Sequence, residues 1–202
     1  MLTAAIYQGF NNSEVTLILF ADISKAYDNV RILNLIEKLR QLSLPYPFIY
    51  GLSTLFRERA LLFRTETNVL GPFVVDIGLP QGAVLSPLLY TIYTTSLELV
   101  VEPHVYLLQF SDDVFFYTSH HDLGMAASAL NNTSERHSHW LHDHGLTMSQ
   151  EKSVVVCFSR RRTGPQTSGI FFEGRELQLQ SVVRFLGLVL DARLTWIPHI
   201  RT

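Results

Sequence analysis

The sequence predicts an α+β fold built on a mostly antiparallel sheet. Three observations point there. Strand-sized apolar runs recur along the chain. Apolar residues at helical spacing separate some of these runs, and a few turn residues join others directly, as in hairpins. At 202 residues, with 47% hydrophobic and 17% charged, the chain is long enough for one sizeable core and too apolar for a disordered segment.

Val15-Thr16-Leu17-Ile18-Leu19-Phe20 is a β-branched and aromatic run, read as a buried strand that delivers Asp22 at its end. Ile32, Leu35, Ile36, Leu39 and Leu42 predict a helix over about Val30–Gln41, stopped at Leu44-Pro45-Tyr46-Pro47. A second helix fits Phe48–Phe56, and Ala60–Thr65 with Pro72–Ile77 reads as a pair of strands. Gly78-Leu79-Pro80-Gln81-Gly82 is a loop. Val84, Leu88, Ile92 and Leu99 mark the buried face of a long helix to about Val101, broken at Glu102-Pro103. His104–Phe110 and Val114–Thr118 are strands that meet at Ser111-Asp112-Asp113. Asp122 caps a helix that runs to about His144 and ends at Gly145. Val154–Phe158 is a strand, and Arg160–Ser168 a polar loop. Gly169–Phe172 and Glu176–Leu179 flank Gly174-Arg175 as a small hairpin, and Phe185–Leu190 is the last strand. No internal repeat is visible, and no linker is long enough to separate independent domains.

Composition narrows the function classes. A net charge of -2 argues against coating nucleic acid by bulk charge. The charge is uneven: residues 1–150 carry -6 and residues 151–202 carry +4, a candidate footprint for a polyanion. The single Cys157 excludes an internal disulfide and a Cys-rich zinc module, and it reads as a small core residue of an intracellular protein. No apolar stretch reaches the roughly 18 residues needed to span a bilayer, and the first residues lack the basic start of a signal peptide. His137, His139, His142 and His144 would point to different sides of one helix, so a solvated face is expected rather than a zinc site.

The acidic residues carry the chemistry. Asp22 closes an apolar strand, and Asp112-Asp113 sits at the tip of an apolar hairpin. Adjacent carboxylates among Phe110 and Phe115 are costly without a counter-ion. Three carboxylates gathered at strand ends form an oxygen-rich site for hard divalent cations. Two Mg²⁺ ions about 3.5–4 Å apart can activate an attacking hydroxyl and hold a leaving pyrophosphate. Asp22 and Asp112 must then meet although 90 positions apart in the chain.

These residues fall in longer boxes. The segment Phe20-Ala21-Asp22-Ile23-Ser24-Lys25-Ala26-Tyr27-Asp28-Asn29-Val30 resembles motif A of reverse transcriptases. Gly78-Leu79-Pro80-Gln81-Gly82 with Ala83–Pro87 resembles motif B, and Phe110-Ser111-Asp112-Asp113 resembles motif C. Leu146–Lys152 resembles motif D, and Phe185–Asp191 resembles motif E, the primer grip. Order and spacing are most similar to the enzymes of non-LTR (LINE-type) retrotransposons. The resemblance implies a right-hand polymerase palm with helices packed on one face of the sheet. It implies a remnant of fingers in residues 1–14, the palm in 15–180, and primer grip with the start of a thumb in 181–202.

The activity implied is RNA-directed DNA synthesis: dNTPs are added to a DNA primer 3′-OH on an RNA template. Asp22, Asp112 and the backbone carbonyl of Ile23 would bind two Mg²⁺, or Mn²⁺, with Asp113 less directly engaged. Tyr27 would lie under the incoming sugar and obstruct a ribose 2′-OH. Gln81 would contact the nucleotide or template, and Gly82 would let the backbone approach. Lys152 would sit near the leaving pyrophosphate as charge stabiliser or general acid.

Two departures accompany the likeness. Ser111 stands where the lineage more often has alanine, and none of the first 24 residues is Lys or Arg. The chain therefore reads as a palm cut from a longer polyprotein, without most of the fingers and thumb or an endonuclease. Two rival readings follow: a palm remnant that binds nucleic acid without catalysis, and an RNA-dependent RNA polymerase, against which Tyr27 argues.

Overall fold

The run Val15–Asp22 forms strand β1, buried along its length until the half-exposed Asp22. The computed structural model describes residues 2–57, 59–162 and 164–201. They divide into two units, one of Met1–Ser24, Leu97–Leu141 and Thr147–Thr202, the other of Lys25–Ser96 and His142–Leu146.

In the first unit helix α1 (Leu2–Asn11) precedes β1. Strands β4 (Tyr106–Phe110), β5 (Asp113–His120), β6 (Val154–Phe158) and β9 (Gln178–Gln180) complete a five-stranded sheet of order β4-β5-β1-β6-β9. All pairs are antiparallel except β6 with β9. β1 is therefore central and packed on both faces, which explains an apolar run with no polar alternation.

One face gathers Ile18, Phe20, Phe115, Tyr117 and Val156 under Leu2, Ile6 and Phe10 of α1. Val183 and Leu190 join the same cluster from the hairpin β10 (Val182–Phe185) and β11 (Leu188–Asp191). On the other face helix α5 (Leu123–Asp143) brings the ring of His137 within 5.0 Å of Phe116. The α5 start is capped as expected, with Met125 N–H donating to Asp122 Oδ1 at 3.1 Å. A short helix α6 (Ile197–Ile200) ends the described chain.

Three expectations change here. The strand expected over Phe185–Leu190 is a hairpin, because Leu186 and Gly187 turn with φ of 44° and 82°. The segment expected over Glu176–Leu179 is divided between β8 (Arg175–Glu176), paired with β7 (Phe171–Phe172), and β9. His137 is fully buried between Phe116 and Phe172, not on a solvated face, and neither ring nitrogen has a partner. Burial holds its pKa down at about 3. Cys157 is a buried thiol, its pKa pushed up to about 11 by burial.

In the second unit α2 (Ile32–Gln41) buries Ile32, Leu35, Ile36 and Leu39 against α3 (Tyr46–Phe56) and α4 (Ser86–Thr94). Strands β2 (Arg59–Arg64) and β3 (Val69–Val75) form a two-stranded hairpin with Leu62, Phe63, Leu70 and Val74 exposed. β3 starts before Pro72, since an edge strand tolerates proline and a register shift between Leu61 and Phe63 absorbs the irregularity. α4 buries Leu89, Tyr90 and Tyr93, while Val84 and Leu88 are 94% and 58% exposed. The buried face is thus displaced by one residue from the expected one. The helix also tightens into a 3₁₀ turn over Thr95–Val100, leaving Leu99 exposed. Among the described residues no helix is long and apolar enough to cross a membrane.

Candidate active site

The antiparallel register of β1 and β5 sets Asp22 directly opposite Asp113. Such partners have Cα atoms about 4.5–5.5 Å apart, so residues remote in sequence share one strand end. Phe110 pairs with Asp113 across β4 and β5, leaving Ser111-Asp112 as a two-residue turn. Ser111 takes a φ of 58°, in keeping with the primed turns that such hairpins favour. Asp112 is exposed at the tip.

The backbone around Asp22 is held from several sides. Its N–H donates to Ser153 Oγ at 3.0 Å, and its carbonyl accepts from Ser149 N–H at 2.7 Å. Ile23 bridges to Met148, and Ser24 N–H donates to Thr147 carbonyl at 2.8 Å. This docking of residues 147–153 brings Lys152 Nζ to 3.8 Å from Asp22 Oδ2. A cavity of about 170 Å³ is lined by Asp22, Asp113, Lys152 and Arg184, with Phe185 and Leu186.

The carboxylates repel one another. Burial raises the pKa of Asp113, and the charges of Asp112 and then Asp22 raise it further. A dication relieves that repulsion, so the oxygen donors fit a hard metal ion. Among the described residues no three His, Cys, Asp or Glu side chains form a group that could hold a metal alone. Mg²⁺ is ordinarily bound by one or two carboxylates plus substrate phosphates, so a pair of carboxylates is enough on the protein's side.

A stability test follows. A raised carboxyl pKa means the ionised form opposes folding above that pKa, and the penalty fades as pH falls toward the unfolded value. Asp113→Asn should therefore raise Tm at pH 7.5, with a gain that shrinks toward pH 4. Equal gain at both pH values would remove electrostatic repulsion as the cause.

Tyr27, Gln81 and Gly82 belong to the second unit. The half-buried Tyr27 ring stacks on buried Tyr90, centroids 4.9 Å apart and planes at 29°. Gln81 is exposed and donates from Nε2 to Asp28 Oδ1 at 3.1 Å. Gly82 has a φ of 84° and nothing near its Cβ position, so its requirement is conformational. A close approach within the chain occurs at Gly78, where a Cβ would lie 2.6 Å from the Asp28 carbonyl.

Sequence reasoning did not single out Ser153, Asp28 or Gly78, and it counted Arg184 only as charge. The one available signal was the place of Arg184 two residues before Leu186-Gly187.

Comparison with known proteins gives a consistent set. The family model described as reverse transcriptase (RNA-dependent DNA polymerase) matches residues 4–190. A probable RNA-directed DNA polymerase from transposon BS of Drosophila melanogaster is 31% identical over 99% of the chain and 23% of its own length. The corresponding protein from transposon X-element is 31% identical over 96% of the chain and 22% of its own length. The chain thus spans about a quarter of these relatives. Among solved structures, telomerase from Candida tropicalis in complex with a TWJ fragment of telomeric RNA has a TM-score of 0.60 at 15% identity. That match covers 96% of the chain and 32% of the other, and it shows a shared fold.

Proposed function

The chain belongs to the reverse transcriptase (RNA-dependent DNA polymerase) family, and from that premise we propose that it is the palm portion of an RNA-directed DNA polymerase in a longer transposon polyprotein. The observation that carries the proposal is the register that sets Asp22 against the strand that begins at Asp113. Two carboxylate strands end together on a sheet, where charge can be gathered against an attacking hydroxyl and a triphosphate.

Asp22, Asp112 and the Ile23 carbonyl would hold Mg²⁺, or Mn²⁺, which when bound supplies charge neutralisation and a more acidic primer hydroxyl. Asp113 adds negative potential beside them. Lys152 is 73% exposed and only loosely paired with Asp22, so it is free to swing toward the leaving pyrophosphate and supply charge or a proton there. Tyr27, whose ring stacks on Tyr90, would lie under the incoming sugar and obstruct a ribose 2′-OH. Gln81 presents its amide to the nucleotide or template.

Primer extension on poly(rA)/oligo(dT) tests the reading, using a polypeptide that carries these residues with flanking fingers and thumb sequence. Metal-dependent incorporation of dTTP is expected. No incorporation with either Mg²⁺ or Mn²⁺ overturns it. The 202 residues alone should bind primer–template weakly and lose it with salt, because phosphate neutralisation dominates such affinity and the net charge is -2.

Tyr27→Ala should relax discrimination against ribonucleotides by about tenfold or more, since a steric gate is a difference in transition-state binding. Unchanged selectivity in a competition between dTTP and UTP would remove Tyr27 from this role.

A further inference from the structure

The loop that carries Gln81 is fastened to the turn that carries Tyr27. Gly78 N–H donates to the Val30 carbonyl and Leu79 N–H to the Tyr27 carbonyl, each at 2.8 Å. The contact is close enough that only glycine fits at 78. From β2, Arg59 Nη2 donates to the carbonyls of Ile77 and Gly78 at 2.6 and 2.7 Å. The two segments are thus fastened together through their backbones, and Gln81 stands out from them as an exposed side chain.

We propose that Asp28 is a positioning residue that presets the Gln81 amide for nucleotide selection, which rests on the polymerase reading above. The amide of glutamine has a donating and an accepting end, and an exposed side chain would ordinarily present either. An ionised carboxylate only accepts hydrogen bonds. Asp28 Oδ1 therefore admits the Nε2 end alone, at 3.1 Å. That choice turns the Oε1 end, with the second N–H, toward whatever ligand approaches. The incoming nucleotide then meets an amide whose orientation is already decided, and binding loses no free energy in selecting it. Because Asp28 follows Tyr27 directly, the sugar-facing ring and the amide are referenced to the same turn. A deoxynucleotide that satisfies both is favoured over one that satisfies either alone.

The test is a mutant cycle in the longer polypeptide, read by single-nucleotide addition. Asp28→Ala should raise KM for the correct dNTP about tenfold, as expected for loss of a charge-assisted hydrogen bond. kcat should stay within about twofold, since no reacting atom is touched. Asp28→Asn can donate as well as accept, so it admits either end of the amide and should leave most of the loss in place. In the double variant with Gln81→Ala, the Asp28 change should add nothing to the effect of Gln81→Ala. Multiplied KM losses, or a fall in kcat at constant KM, overturn the proposal.

A second measurement needs no catalysis. In the same polypeptide labelled with ¹⁵N-glutamine, the Gln81 side-chain amide signals should move on Asp28→Ala. Unmoved signals also overturn it. A wild-type polypeptide that does not extend the primer takes down the polymerase reading instead, and the amide signals still report whether Asp28 orients Gln81.

Discussion

Asp112→Asn should lower the rate of nucleotide addition by about 10³-fold or more while leaving the fold intact. The residue is exposed at a turn, so its removal breaks no core contact. What it removes is charge at the point where a dication would be held. Metal stabilisation of a phosphoryl transition state is worth several kcal/mol, and about 1.4 kcal/mol corresponds to tenfold in rate. Asp22→Asn should do the same. Asp113→Asn should cost less, since its role is negative potential beside the ligands. Single-turnover rates with saturating Mg²⁺, checked against unchanged thermal unfolding, decide the ranking. Activity in Asp112→Asn within tenfold of wild type would show that Asp112 is a turn residue and no more.

The second large effect concerns acid stability. His137 is fully buried, with both ring nitrogens unpartnered, and its pKa lies near 3 against the usual 6.5. The folded state keeps the ring neutral while the unfolded chain protonates it. Stability from this group is complete above pH 6.5 and is lost as pH falls toward 3. The slope approaches about 1.4 kcal/mol per pH unit, so about 2 kcal/mol should vanish between pH 6.5 and 5. His137→Leu should be more stable than wild type at pH 7.5 by about 1–2 kcal/mol, because an unsatisfied buried donor and acceptor are removed. The advantage should widen as the solution is acidified. Denaturant unfolding at pH 7.5, 6 and 5 measures it. Parallel pH profiles for the two proteins would mean that the ring finds a partner.

Much of this architecture was legible in the residues, for a physical reason. β1 and β6 are buried on both faces, and a strand so placed is apolar except where a polar side chain finds a partner, as Thr16 does in Ser119. Asp22 at the end of such a run is conspicuous because a carboxylate there needs a cause. The face of α4 was misjudged because Tyr90 and Tyr93 are amphipathic, and the exposed Leu88 was the more obvious apolar candidate. The hairpin turn at Leu186-Gly187 was hidden within an apolar run, with only one turn-forming residue to mark it. His137 looked solvated because its histidine neighbours are polar, whereas its partners Phe116 and Phe172 come from distant strands. The contacts that fasten the site left no trace at all. Arg59 and Ser153 bond to backbone groups, and a carbonyl or an N–H carries no side-chain signature in a sequence.

The order of strands in the sheet also sets a timetable for synthesis. A ribosome completes β1 by residue 22, but its neighbours begin only at residues 113 and 154. At about 5–20 residues per second, this apolar strand waits roughly 5–20 s for its first partner strand. During that interval residues 25–96, whose contacts are mostly among themselves, can already condense. The waiting strand is the natural place for a chaperone to bind, and a pause in translation before β5 would lengthen its exposure.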